Sequence, residues 1–94
     1  MAERPKYSLR KIFQYGSLNH EKDVTCMWNS SDSLVIAGDY FELYRKLGGE
    51  KGDNAFAIVD LFNLLGHKGW ELVSSHEEEQ AQDYLFKRTY YVQP

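Results

Sequence analysis

Asn54-Ala55-Phe56-Ala57-Ile58-Val59-Asp60-Leu61-Phe62-Asn63-Leu64-Leu65-Gly66-His67-Lys68-Gly69-Trp70-Glu71-Leu72-Val73 is the stretch on which the fold turns. Ala55, Ile58, Val59, Phe62 and Leu65 share one helical stripe, and Ala57, Leu61 and Leu64 form its neighbour, so the spacing predicts a helix over 54–65. Asp53 or Asn54 supplies a capping side chain, and Gly66 stands where a left-handed closing residue is wanted. Asp60, Asn63 and His67 form the only polar strip. A helix apolar around most of its girth needs more cover than one sheet face provides, so a second cover is expected, either a loop of the same chain or another subunit. After Gly69 the period changes to two: Trp70, Leu72 and Ser74 alternate with Glu71, Val73 and Ser75, the pattern of a strand.

Working outward, Tyr84 to Val92 is a β-favouring run, joined to the previous strand by the acidic segment Glu77 to Asp83, expected as a solvated hairpin tip. Tyr7 to Tyr15 alternates with period two, and Gly16-Ser17 is expected to end that strand. Val24, Cys26 and Trp28 alternate before the turn cluster Asn29 to Asp32, and Leu34 to Ala37 resumes an apolar run. Asp39 to Gly49 admits two readings. As a helix, Asp39 caps, Glu42 completes a capping box and Tyr40, Leu43, Tyr44 and Leu47 share a face. As a hairpin, Gly38-Asp39 is a two-residue turn and the aromatic pair Tyr40-Phe41 favours a strand; this reading is preferred because so short a helix is weak alone. Gly48 to Gly52 is then a flexible loop. The expectation is one small α+β domain over residues 1–94, an antiparallel sheet of about four to six strands with one main helix packed on it.

Composition bounds the function. Ninety-four residues make one domain, and 43% apolar with 15% aromatic content describes a packed core and excludes disorder. A net charge of −3 argues against extended nucleic acid and anionic lipid as partners. The longest apolar run is Ala55 to Val59, too short for a membrane span, and the charged start Met1 to Pro5 does not resemble a secretory signal, so a cytosolic location is expected. The single Cys26 fits that reducing compartment. Charge is divided along the chain: Arg4, Lys6, Arg10 and Lys11 lie before residue 16, while Glu71 to Asp83 carries acids and no bases.

Leu64-Leu65-Gly66-His67-Lys68-Gly69-Trp70-Glu71-Leu72-Val73 followed by Tyr84-Leu85-Phe86-Lys87-Arg88 resembles the family called domain of unknown function 4177, whose members carry a helix ending in Leu-Gly-x-x-Gly-Trp-Glu-Leu-Val and a last strand with Phe-Lys-Arg. The resemblance covers residues 54–88, and Val24 to Gly52 is longer than the family's minimal form. It implies a strand, a helix and a β-hairpin, and implies no activity. The motif also has a structural reading, a helix-to-strand corner in which Trp70 and Leu72 drop onto the helix as core residues.

No chemistry is dictated. His20, His67, His76 and Cys26 lack the spacings of a metal site, so no metal and no cofactor are expected. Cys26 inside an alternating strand reads as a buried small hydrophobe sooner than as half of a Cys-His catalytic pair. Gly48, Gly49 and Gly52 lack the context of a phosphate-binding loop, and Glu77 to Glu79 read as solvated acids. Basic and aromatic residues interleaved on strands make Arg10, Trp28, Lys87, Arg88 and Tyr91 the candidate ligand-binding residues, with a small anionic ligand as the matching chemistry. The leading expectation is a non-enzymatic binding or interaction module that forms a homo-oligomer. The alternative is a protein that sequesters a nucleotide-like small molecule, as some compact phage proteins do, and an enzyme ranks last because no nucleophile, base and orienting group can be named.

Overall fold

The computed structural model describes residues 10–21 and 25–92. Five strands, β1 (Arg10–Glu21), β2 (Cys26–Ser30), β3 (Ser33–Ala37), β4 (Trp70–Glu78) and β5 (Ala81–Val92), form one antiparallel sheet in the order β3-β2-β1-β5-β4. Two helices, α1 (Tyr40–Lys46) and α2 (Ile58–His67), lie between β3 and β4 in sequence, with a short 3-10 turn at Asp53–Ala55. Because β3 and β4 are the two edges of the sheet, the helical connection crosses one face from edge to edge. The central pair β1–β5 runs in register from Arg10↔Val92 to Glu21↔Ala81.

The chain is α+β as expected, with differences that have identifiable causes. Residues 40–46 are helical: Asp39 Oδ1 accepts from Glu42 N at 2.7 Å while Glu42 Oε2 accepts from Gly38 N at 3.0 Å, and the helix buries Leu43 and Tyr44. That reciprocal cap and two core side chains outweigh the β preference of Tyr40-Phe41. The long helix starts later than expected, at Ile58, where Asp60 Oδ2 accepts from Ala57 N at 2.9 Å; Asp53 and Asn54 belong to the 3-10 turn. Gly66 lies inside this helix, and the left-handed residue is Gly69, whose φ of 93° turns the chain into β4.

β1 does not end at Gly16-Ser17 but continues to Glu21. Gly16 is where the Trp28 indole crosses the strand; a Cβ there would meet Trp28 Cη2 at 2.5 Å. The Tyr7–Leu9 part of the expected first strand, and Val24, lie outside the described residues.

One core holds the layers together: Leu18, Cys26, Trp28, Ala37 and Phe86 from the sheet, Leu43 and Tyr44 from α1, Leu61 and Leu65 from α2, and Trp70 from the corner. Phe41, Tyr44 and Phe56 pack ring on ring, and Tyr44 Oη accepts from Glu50 N and Lys51 N at 3.2 and 3.1 Å, which ties the 48–56 loop to α1. The second cover demanded by α2 is therefore α1 of the same chain, and α2 needs no other subunit to hide Leu61 and Leu65. Trp70 is buried at the corner as expected, but Leu72 is half exposed because β4 runs out beyond the helical layer.

Candidate functional site

Two surfaces carry the residues with chemical potential, and strand parity separates them. Gln14 and Arg88 are register partners on the helix-bearing side of the sheet, as are Leu18 with Trp28 and Trp28 with Val35. The Ser31-Asp32 turn and the Lys68-Gly69-Trp70 corner converge on this group to form a cleft. A cavity of about 370 Å³ is lined by Trp28, Asp32, Lys46, Lys68, Trp70 and Arg88 among others, and one of about 530 Å³ adjoins it beside Gln14, Thr89 and Tyr90.

Arg88 is the centre of this cleft. Its guanidinium lies over the Trp70 ring, with Cζ 4.3 Å from the centroid. Nε donates to Gln14 Oε1 at 3.0 Å, Nη2 donates to the same oxygen and to Asp32 Oδ2 at 3.2 Å, and Nη1 donates to the Lys68 carbonyl at 3.5 Å. Asp32 is held below the usual carboxylate range, first by the Ser30 hydroxyl donating at 2.7 Å and then by Arg88. The planar fork thus joins β1, the β2–β3 turn and the α2–β4 corner to β5, and most of its donors are engaged within the chain.

Among the described residues no helix lies on the opposite side of the sheet. Odd-numbered positions of β1 and β5 point there, with their register partners, and they bring Phe13, Tyr15, Leu85 and Tyr91 onto one surface that Leu34 and Ile36 extend along β3. These six large apolar side chains are 37 to 60% exposed, against 6% or less for every core residue, so they are a coherent face and not leakage from the core. Lys11 and Lys87 flank the Phe13 ring, each Nζ 5.2 Å from its centroid. The far end of the same face carries Glu21, Asp83 and the His76–Glu78 pair, joined at 2.9 Å, which raises the His76 pKa.

The five residues singled out from the sequence therefore do not form one site. Trp28 is 2% exposed and belongs to the core, Arg88 clamps the cleft above it, and Arg10 lies on the same side of the sheet at the end of β1, paired with Val92. Lys87 and Tyr91 lie on the uncovered face. Gln14, Asp32 and Lys68 were not singled out, and only the meeting of three loops and strands brings them to Arg88. Phe13, Tyr15 and Leu85 were legible as one parity of alternating strands, but the strand order was needed to know which parity the helices leave bare.

Cys26 and His20 are register partners on β1 and β2. Cys26 is fully buried, and desolvation, followed by the nearby Asp39 and Glu42 carboxylates, pushes its thiol up to about 11. A thiol so disposed keeps its proton at neutral pH and is a poor nucleophile. Among the described residues no group of His, Cys, Asp and Glu side chains is placed to hold a metal ion, and no helix is long and apolar enough to cross a membrane. No family model matches the chain, and no curated protein or solved structure does either.

Proposed function

We propose that this chain is a non-enzymatic interaction module that works through the uncovered face of its sheet. The observation that carries the reading is the contrast between the two faces. One is roofed by α1 and α2 over its central part, with Leu72 and Tyr90 exposed beyond the roof, while the other presents Phe13, Tyr15, Leu34, Ile36, Leu85 and Tyr91 to solvent. Leaving so much aromatic and aliphatic surface wet is unfavourable by roughly 25 cal/mol per Å², and a partner laid on the face recovers that energy. The committed state of Arg88 weighs against the cleft as the main binding surface. The free, buried Cys26 accords with a reducing compartment such as the cytosol. Kinship with domain of unknown function 4177 remains part of this proposal and adds a frame without adding chemistry.

The test is site-specific cross-linking in living cells, with a photoreactive benzophenone amino acid in place of Tyr15 or Leu85, and in place of Asn63 on the outside of α2 as control. The expected result is discrete protein adducts from Tyr15 and Leu85 and none from Asn63. No adduct from either sheet position would overturn the reading.

A further inference from the structure

We infer that the occupant of the open sheet face is a second copy of this chain, stacked face to face about a two-fold axis that lies between the sheets and runs across the strands. This rests on the interaction-module reading and names its partner.

The outer strands β3 and β4 carry devices against strand addition. Although Arg10 to Tyr15 of β1 and Thr89 to Val92 of β5 extend past them as a two-stranded ribbon with unpaired outer sides among the described residues, the face is the larger apolar surface. On β3, Lys46 Nζ donates to the Ile36 carbonyl at 2.8 Å. β4 is bulged between Leu72 and Ser74 and carries Glu71, Glu77 and Glu78 along its length. A lysine on one edge and a bulge with acids on the other are the devices that keep sheets from pairing edge to edge. The area of the face suits a dimer. Five strands at about 4.8 Å spacing, with lengths that average about 28 Å, give roughly 670 Å² per copy, or about 1,300 Å² in all, near the lower bound of stable interfaces before side-chain relief is counted. Tyr15 and Leu85 lie near its middle, bordered along β5 by Lys87, the register partner of Tyr15, on one side and by Asp83 on the other.

Charge selects the axis. Lys11 and Lys87 lie on one half of the face, with Glu71 opposite Lys87 on β4, and Glu21, Asp83 and Glu78 lie on the other half, so a half with two cations and one acid adjoins a half with three acids. Lys87 and Asp83 are four residues apart on β5, about 13 Å, which exceeds the Debye length of about 8 Å at physiological salt, so the two halves act as separate patches. A two-fold axis parallel to the strands would bring the lysine-bearing halves together and the acid-bearing halves together. An axis across the strands reverses one copy and sets the Lys11–Phe13–Lys87 cluster of each beneath Asp83 and Glu21 of the other. Both rims are then attractive, and because the contact is self-complementary, every favourable pair occurs twice.

The experiment is sedimentation equilibrium of the full chain at micromolar concentration and low ionic strength, with circular dichroism confirming that each variant is folded. The wild type should sediment at twice its 11.0 kDa mass. Lys87→Glu and Asp83→Lys should each weaken the dimer by about tenfold or more, because like charges then face each other at both ends. Mixing the two variants should restore a dimer, since Glu at 87 meets Lys at 83 on one rim and the native pair survives on the other. Lys11→Glu replaces Lys87→Glu should the latter not fold. A wild type that stays at 11.0 kDa, single variants that associate as tightly as wild type, or a mixture that fails to associate each overturns the proposal. A monomeric wild type whose Tyr15 still cross-links to a different protein rejects the second copy and leaves the interaction module standing. A dimer with no cross-link from Tyr15 or Leu85 rejects both.

Discussion

The guanidinium of Arg88 covers the outer side of the Trp70 ring, with Cζ 4.3 Å from the ring centroid, while the inner side of the corner is filled by Trp28, whose ring lies edge-on at 5.1 Å. The arginine is therefore the lid of the core at the point where α2 turns into β4.

Arg88→Ala is expected to lower stability by about 1–3 kcal/mol, through loss of the stacking contact and of the hydrogen bonds to Gln14 and Asp32. Trp70→Ala should be worse, about 3–5 kcal/mol, because it opens a cavity between Trp28 and α2. Urea denaturation of the two single variants and the double variant measures the coupling. Strictly additive losses would show that the two residues stabilise the corner independently.

Gly49 and Gly66 should respond to alanine with opposite signs. A Cβ at Gly49 would lie 2.3 Å from the Tyr44 ring, so Gly49→Ala is expected to cost about 1–3 kcal/mol. At Gly66 nothing lies within 4 Å and the residue is helical, so Gly66→Ala should stabilise by about 0.5 kcal/mol. Equal losses at both positions would mean that Gly66 closes the helix after all.

Cys26 provides a pH probe of the core. Its folded pKa of about 11 stands above the ordinary thiol value of 9.0, so the buried thiol contributes stability that is complete below pH 9 and is lost as pH rises from there through about 11. Cys26→Ala should flatten that alkaline loss. Alkylation of the wild type at neutral pH should proceed only through opening of the core, and rapid labelling of the native protein would contradict its burial.

Nucleotides and inorganic phosphate at millimolar concentration are expected to leave the melting temperature within about 2 °C, because Arg88 is already paired. A ligand present at a hundred times its Kd would add about 2.7 kcal/mol, which in a chain of this length raises the Tm by roughly 10 °C or more. A rise of that size, lost in Arg88→Ala, would revive the sequestering reading of the cleft.

Local patterns in the sequence determined the strands, the helix over the 58–65 region and the burial of Trp70, because period-two alternation and apolar stripes are properties of short segments. Three matters were decided only by tertiary structure. Asp39 to Lys46 carries the capping signals of a helix and the aromatic bias of a strand, and burial of Leu43 and Tyr44 against the sheet tips the balance. The left-handed residue at the corner is Gly69 and not Gly66 because the chain must swing Trp70 under Arg88 before β4 can pair with β5. Which face of the sheet stays bare depends on strand order: β3 and β4 lie at opposite edges, so the helices joining them must cross one side of the sheet, and Phe13, Tyr15 and Leu85 are exposed because their parity points to the other. No stretch of sequence shorter than the whole sheet contains that information, since an alternating strand states that it has two faces and not which one its neighbours will cover.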